Sequence, residues 1–232
     1  MLVRVEWVAD MDISHCGYQI ESAVLSPAEC DSVLAALAHP EAERRAGSRH
    51  LMSHRAVNEL AHDGRLLQIA KASLGGPCIP FRATLFAKSG AANWLIPWHQ
   101  DTALPLAASF ADGEWVSWSR KQGIHYAHAP AWALSRVVAL RVHLDASTGE
   151  NGPLRVVPGS HLDGVLTDQT VCDYVKTHDQ TSCLVPRGGV LTMRPLLIHA
   201  SSKAQTDAPR RVLHIEYVDS LDLKPGIRLA VA

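Results

Sequence analysis

The chain has 232 residues, and its 22 lysines and arginines against 23 aspartates and glutamates give a formal net charge of −1. A chain with only 19% charged residues lacks the basic surface that nucleic acid or an anionic membrane requires. Its 47% hydrophobic content excludes intrinsic disorder, and its length suits one domain. Thirteen histidines are the compositional feature that suggests chemistry.

The cysteines and the N-terminus indicate a cellular compartment. The five cysteines are scattered and contain no C-x-x-C pair, which disfavours a disulfide framework and a thiolate zinc site. Acidic residues interrupt the N-terminus before an apolar signal core can form, and no apolar run reaches about 18 residues. We therefore expect a cytoplasmic protein without a membrane span.

Two helices are predicted in the first part of the chain, over about residues 26–74. Ser26–Glu29 has the pattern of a capping box with proline at the first helical position, and apolar residues follow at helical spacing. A second helix is predicted over 58–74, because apolar residues recur on one stripe and Gly75-Gly76-Pro77 ends it.

Short strands follow from about residue 80 to 218. The predicted strands are Phe81–Lys88, Arg136–Leu144, Leu154–Val157, Ser182–Val185, Val190–Ile198 and Arg211–Val218. No helix-length pattern separates the later strands, so we expect a mainly β fold of the sandwich or barrel type, with flanking helices, as a single domain over 1–232. Residues 103–133 fit neither period and are interpreted as an insertion or lid.

Some histidines stand two residues before a carboxylate. A strand presents residues i and i+2 on one face, so His-x-Asp plus a second histidine can form the facial triad of non-haem Fe(II) oxygenases. The candidate pairs are His99/Asp101, His143/Asp145, His161/Asp163 and the variant His214/Glu216. Chance predicts roughly one His-x-Asp pair in this composition, so at most one pair belongs to a metal site.

Chain order favours the first pair. In a jelly roll, ligand strands that face each other are separated by about four strands. Four fit between Asp101 and His199, and fewer fit after the later pairs. We therefore predict a site of His99, Asp101 and His199, and interpret His161 as a residue that fixes a loop.

A 2-oxoglutarate cosubstrate would need a cationic partner for its distal carboxylate, and arginine suits this role. Arg210 and Arg211 open the strand that follows His199. Adjacent strand residues face opposite sides, so only one of them can point inward.

Four separated motifs recur in the order of a known family. They are GYQIESAVLSPAECDSVLAAL near the start, WHQDT at 98–102, NGPLRVVPGSH at 151–161, and GGVLTMRPLLIHASS followed by PRRVLHIEY. Over about residues 17–218 the sequence resembles the phytanoyl-CoA dioxygenase family of Fe(II)- and 2-oxoglutarate-dependent oxygenases.

The resemblance implies a double-stranded β-helix, or jelly-roll, cupin-like core. It implies His99, Asp101 and His199 as the iron ligands, Arg210 as the 2-oxoglutarate anchor with Arg211 as the fallback, and Ser201 as a support for the same carboxylate. The implied reaction uses O2 to hydroxylate, or otherwise oxidise, an unactivated C–H bond of a small molecule, with release of succinate and CO2. No catalytic residue beyond the iron ligands is implied.

Candidate substrate contacts are Lys88, Trp98 and Arg141. Arg82, Thr84, Phe86 and Lys88 share one face of a strand. If that face is inward, Lys88 or Arg82 can meet an acidic substrate, and if it is outward they form a solvated edge. Arg141 has the same two interpretations, and Trp98 has core packing as its alternative. No clear basic cluster for the phosphates of a CoA thioester is visible.

Two other functions remain open. One is a jelly-roll metal- or sugar-binding protein without oxygenase activity, against which the Arg210 anchor argues. The other is a cupin-type metalloenzyme that does not use 2-oxoglutarate.

Overall fold

The computed structural model describes residues 12–38, 47–88 and 93–232. The helices are α1 (Ile13–Cys16), α2 (Pro27–Leu37), α3 (Arg55–Ala61), α4 (Gly64–Leu74), α5 (Ala131–Leu134) and α6 (Asp168–Thr177). The strands are β1 (Tyr18–Glu21), β2 (Gly47–Arg49), β3 (Ile79–Lys88), β4 (Ile96–His99), β5 (Ala103–Leu106), β6 (Val116–Lys121), β7 (Ile124–His128), β8 (Val137–His143), β9 (Leu154–Val156), β10 (Thr181–Cys183), β11 (Val190–Met193), β12 (His199–Ser201), β13 (Arg210–Val218), β14 (Asp222–Lys224) and β15 (Ile227–Arg228).

Two antiparallel sheets form the centre of the fold. The larger has six strands in the order β1-β11-β8-β13-β3-β2, and the smaller has four in the order β10-β9-β12-β4. Leu154 and Val156 of the small sheet pack with Leu191 and Met193 of the large sheet in one buried cluster. The sheets therefore face each other, and the predicted jelly-roll core with flanking helices is confirmed.

The large sheet has an apolar outer face that is covered by α2, α3 and α4. Alternate residues of β13, namely Leu213, Ile215 and Tyr217, join the buried cluster formed with these helices. The Tyr217 hydroxyl donates a hydrogen bond of 2.9 Å to the Ala61 carbonyl of α3. The other alternation of β13, which includes Arg210, His214 and Glu216, therefore faces the small sheet.

The predicted helix starts and stops are partly correct. Ser26 and Glu29 form both hydrogen bonds of the capping box at the start of α2. The predicted 58–74 helix is two helices, because Asp63 caps α4 by accepting from the Arg65 backbone N–H. Gly75, in the left-handed conformation, ends α4 at the predicted place.

Among the differences between the predicted and the observed strands, two are large. The predicted Val190–Ile198 strand ends at Met193, and a new strand begins at His199, with Pro195 in the intervening segment. The 103–133 segment is not irregular, because β5, β7 and β6 form a three-stranded sheet followed by α5. Five of the six β6 residues are exposed, so the strand lacks the alternation that sequence reasoning needs.

The longest helices in the described ranges, α2 and α4, have eleven residues each. No helix there has both the length and the apolar character that crossing a membrane requires.

Candidate metal centre

Neighbouring strands of the small sheet bring two histidines together. His99 at the end of β4 is the direct register partner of His199 at the start of β12, and their ring centroids are 4.3 Å apart. Asp101 follows β4, and its backbone N–H donates a 2.9 Å hydrogen bond to the Pro195 carbonyl. One ligand atom from each of His99, Asp101 and His199 lies within 4.8 Å of the others. In the described ranges this is the one group of three such side chains that could hold a metal ion.

Backbone carbonyls orient both imidazoles in the same way. His99 Nδ1 lies 2.8 Å from the Pro97 carbonyl oxygen, and His199 Nδ1 lies 2.8 Å from the Leu197 carbonyl oxygen. A carbonyl can only accept, so each Nδ1 must carry the proton and each Nε2 keeps a free lone pair. The two Nε2 atoms lie 3.7 Å and 3.6 Å from oxygens of Asp101. This orientation by a second hydrogen bond is typical of metal-ligating histidine.

The surroundings keep His199 and Asp101 in the protonation states that a metal requires. Burial lowers the pKa of His199 to about 4, so its imidazole is neutral at physiological pH. Desolvation alone would raise the pKa of Asp101, but electrostatic interactions with His199, His214, His99 and Arg82 outweigh it and lower that pKa. The His199 side chain is 4% exposed, whereas those of His99 and Asp101 are 35% and 32% exposed. The group is therefore open on one side.

The remaining histidine–carboxylate pairs have other partners. His143 lies 3.0 Å from the Ser147 hydroxyl, while Asp145 binds Arg211. His161 Nε2 lies 3.1 Å from the Ser14 carbonyl, a contact that ties its loop to the N-terminal region. His214 Nε2 lies 3.9 Å from Glu216 Oε1, but Arg82 binds both oxygens of Glu216, so this carboxylate is already engaged.

A buried cationic cluster lies beside the metal group on the inner face of the large sheet. Arg210 Nη2 donates to the Ser201 hydroxyl at 3.2 Å, and Lys88 Nζ donates to the same oxygen at 2.9 Å. Ser201 in turn donates to the Gly152 carbonyl. Because Ser201 follows His199 by two residues on one strand face, the cluster begins about 6–7 Å from the metal group.

Arg141 and His143 of β8 extend this cluster. Arg141 Nη1 lies 3.2 Å from His214 Nδ1, and the Arg141 guanidinium lies 5.2 Å from the Phe86 ring centroid. No described carboxylate lies within ion-pairing distance of Lys88, Arg141 or Arg210. Arg210 Nη1, Arg141 Nε and His143 Nε2 are buried without any hydrogen-bond partner. Unpaired buried cations are costly, so this cluster is built for a bound anion.

Burial and the repulsion between positive charges lower the pKa values of two groups in this cluster. Burial, followed by the nearby Arg210 and Arg141, lowers the pKa of Lys88 to about 8. Burial, followed by Arg141, lowers the pKa of Arg210 to about 10. Both shifts would be reversed by an anion placed between these groups.

Two of the sequence candidates lie elsewhere. Arg211 faces the opposite side of β13 from Arg210 and pairs with Asp145 through two hydrogen bonds of 2.7 Å and 2.8 Å. Trp98 precedes His99 on β4 and turns to the other face, where it packs with α6 and lies 4.9 Å from the Arg155 guanidinium. Trp98 is therefore left out of the candidate site.

Sequence reasoning missed three residues near the metal group. A cavity of about 280 Å³ in front of Asp101 is lined by Arg49 of β2 and by Lys121 and Tyr126 of the 103–133 segment. These residues come from distant parts of the chain and share no motif, so no sequence pattern could have grouped them. Arg82 of β3, which the sequence analysis named as a possible contact for an acidic substrate, lines the same cavity.

Both a protein-family model and a known enzyme match the sequence. A model of the phytanoyl-CoA dioxygenase (PhyH) family matches residues 15–212. The L-proline trans-4-hydroxylase of Streptomyces griseoviridis is 26% identical, and the match covers 66% of this chain and 59% of that enzyme. The chain therefore spans less than two thirds of the length of this curated relative.

Solved structures share the fold. AviO1 from Streptomyces viridochromogenes Tue57 matches with a TM-score of 0.66 and 22% identity, covering 94% of each chain. EctD from S. alaskensis, solved with 2-oxoglutarate and 5-hydroxyectoine, matches with a TM-score of 0.66 and 20% identity, covering 89% of this chain and 73% of EctD.

Proposed function

The chain belongs to the phytanoyl-CoA dioxygenase family, whose model covers most of its length, and on that premise we propose that it is an Fe(II)- and 2-oxoglutarate-dependent oxygenase. It hydroxylates, or otherwise oxidises, an unactivated C–H bond of a small molecule and releases succinate and CO2. One observation carries the proposal: two histidine Nε2 atoms and a carboxylate converge beside buried cations that lack an acidic partner. The related L-proline trans-4-hydroxylase supports a small-molecule substrate.

His99, Asp101 and His199 would hold the iron. Two neutral imidazoles and one carboxylate suit Fe(II) and leave coordination positions for other ligands. The exposed side of His99 and Asp101 is where those positions would open. Bound iron, together with 2-oxoglutarate and O2, would supply the oxidising chemistry, which belongs to the cofactor.

Arg210, Ser201 and Lys88 would bind the distal carboxylate of 2-oxoglutarate. The unpartnered Arg210 Nη1 is a donor that a carboxylate oxygen would satisfy. Ser201 already accepts from both cations, so it holds their charged ends at one point. Arg141 and His143 add two further unpartnered nitrogen atoms to the same region.

The chain also keeps this region dry and orients what binds there. Leu154, Val156, Leu191 and Met193 fill the space between the sheets and exclude water, which strengthens ionic contacts made inside. The backbone bonds at His99 and His199 hold the imidazole planes before any metal arrives. The chain thereby supplies geometry and electrostatics rather than a proton-transferring side chain.

The alternatives from the sequence are less well supported. A metal- or sugar-binding jelly roll, or a cupin-type enzyme without 2-oxoglutarate, has no need for three buried cations without a carboxylate partner. Their desolvation is unfavourable unless a dicarboxylate or a similar anion occupies the site. The cysteine pattern of the sequence supports a cytoplasmic location for the enzyme.

Anaerobic spectroscopy tests the proposal directly. Fe(II) and 2-oxoglutarate added to the purified protein without oxygen should produce the weak visible metal-to-ligand charge-transfer band of the chelate. His199→Ala should abolish the band, whereas His178→Ala, at an exposed helix end, should retain it. The proposal fails if wild type gives no band or if His199→Ala leaves the band unchanged.

A further inference from the structure

The cavity in front of Asp101 is lined by this residue of the metal group and by the exposed residues Arg49 and Lys121. It has a volume of about 280 Å³. A second cavity of about 710 Å³ shares Arg49, Thr84, Phe86 and Lys121 with it, so the two adjoin. Asp101 lines only the smaller of the two. A molecule that enters through the wider cavity therefore passes Arg49 and Lys121 before it reaches the metal group.

The walls of the smaller cavity are positively charged. Arg49 and Lys121 have no carboxylate within ion-pairing distance in the part of the chain that the structure describes. Arg82 is bound by both oxygens of Glu216, one at 2.5 Å, and also donates to the Ala103 carbonyl. The buried pair is close to neutral, which leaves Arg49 and Lys121 as two unopposed positive charges at the entrance.

Tyr126 lies beside two cations of this cavity, Lys121 and Arg82. The Lys121 Nζ lies 5.0 Å from the Tyr126 ring centroid, and the Arg82 guanidinium lies 6.0 Å from it. The Tyr126 hydroxyl is 2.8 Å from His50 Nε2, which links the ring to the end of β2 beside Arg49. Burial lowers the pKa of Lys121, and Arg49 and Arg82 lower it further, in keeping with their proximity.

This cationic entrance is distinct from the cluster around Arg210. Arg49 is the register partner of Thr84 on β3, whereas Arg210 is the partner of Lys88. Four residues of strand, roughly 13 Å, separate Thr84 from Lys88. A 2-oxoglutarate molecule held at Arg210 therefore leaves Arg49 and Lys121 available for a second anion.

We propose that Arg49 and Lys121 bind a carboxylate of the substrate that is oxidised, so that the substrate class is small carboxylic acids, free amino acids included. The proposal rests on the proposed function. Carboxylate and guanidinium form paired charge-assisted hydrogen bonds, and a small acid suits the limited volume. A CoA thioester fits less well, because a long pantetheine arm separates its phosphates from the acyl carbons, whereas these cations share a cavity with Asp101.

The test compares acids with their neutral analogues. Wild-type protein with Fe(II) and 2-oxoglutarate is given a panel of small amino acids and carboxylic acids, each beside its primary amide, together with short acyl-CoA thioesters. Succinate release and anaerobic titration of the charge-transfer band report binding near the iron. We expect at least one acid to stimulate succinate release about tenfold more than its amide, and the thioesters to have no such effect.

Substitutions of Arg49 and Lys121 test whether these two side chains cause the preference for the acid over its amide. Arg49→Gln and Lys121→Gln should each weaken the apparent affinity for that acid about tenfold or more, because each removes a charge-assisted contact. The affinity for 2-oxoglutarate should not change. Arg120→Gln is the matched control, because Arg120 adjoins Lys121 but turns to the Gly123 carbonyl.

Three outcomes would overturn the proposal. These are equal responses to acids and amides, a response confined to the thioesters, or equal losses in Arg120→Gln and Lys121→Gln. A wild-type protein that gives no charge-transfer band would instead contradict the oxygenase assignment. Calorimetric titration of the acids into metal-free protein would still test the carboxylate site in that case.

Discussion

Arg210 and Lys88 are register partners across β13 and β3, and both donate to the hydroxyl of Ser201. Two cations of adjacent strands thus converge on one neutral oxygen inside the fold. Such a pair repels itself unless an anion binds between its members. This relationship joins the metal group to its proposed cosubstrate, because Ser201 and His199 lie on the same face of β12.

Arg210→Ala should weaken 2-oxoglutarate binding at least tenfold while iron binding is retained, since a charge-assisted contact is worth about 1.5–3 kcal/mol. Arg211→Ala is the matched control, because Arg211 pairs with Asp145 on the other face of β13. Anaerobic titration of the charge-transfer band measures both affinities. An effect confined to Arg211→Ala would mean that the two arginines have been assigned the wrong way round.

The affinity for 2-oxoglutarate should fall as the pH rises above about 8. Burial, Arg210 and Arg141 lower the pKa of Lys88 to about 8 in the ligand-free protein. Above that pH the amine is neutral and must take up a proton to pair with the anion, whereas below it the ammonium is already present. The other groups of the cluster are Arg210, Arg141 and His143, and burial lowers the pKa of His143 well below its ordinary value.

Calorimetry at pH 8.5 in two buffers of different ionisation enthalpy should detect this proton uptake. Lys88→Met should bind 2-oxoglutarate more weakly at every pH and show no uptake from this group. A wild-type affinity that stays constant from pH 7 to 9.5 would contradict the role given to Lys88.

Glu216→Gln should lower the free energy of unfolding by about 3 kcal/mol, because it leaves the mostly buried charge of Arg82 without its partner. The Glu216 side chain is 1% exposed and binds Arg82 with both oxygens. Urea denaturation measures the change. Glu59→Gln, in an exposed pair with Arg55 one helical turn away, should cost at most about 0.5 kcal/mol. Similar losses in the two variants would be inconsistent with a structural role for the buried pair.

Gly152→Ala should reduce both stability and 2-oxoglutarate binding. Gly152 has φ of +69°, and a Cβ there would collide with the Ser202 carbonyl oxygen and lie 3.2 Å from Lys88 Nζ. Its own carbonyl also accepts the Ser201 hydrogen bond. The left-handed conformation alone costs a non-glycine residue about 1–2 kcal/mol.

Gly226→Ala is the control that separates backbone strain from steric crowding by the new Cβ. Gly226 has φ of +81°, and a Cβ there would meet nothing within 4 Å. Gly226→Ala should lose only the conformational cost and keep the wild-type affinity for 2-oxoglutarate. If Gly152→Ala behaves in the same way, the contacts around Ser201 do not shape the anion site.

Features that depend on short spacing along the chain were predictable from the amino-acid sequence alone. The His99-x-Asp101 pair needs only the alternation of a strand and the turn after it, and the Ser26 capping box needs only one helical turn. The order of His99 and His199 along a series of short strands, together with the family motifs, was enough to predict the jelly-roll core and to select these two histidines for the metal group.

The directions in which side chains face, and the distant side chains that come into contact, depend on the packing of the folded chain. Strand alternation in the sequence allowed only one of Arg210 and Arg211 to face inward, and in the packed sheets Arg210 faces inward while Arg211 pairs with Asp145. Trp98 was predicted as a candidate substrate contact, but its side chain packs against α6 on the other face of β4. Arg49 and Lys121 are neighbours only because β2 and the 103–133 sheet meet at the same cavity. Long-range packing, which leaves no local periodicity in the chain, brings these cations together.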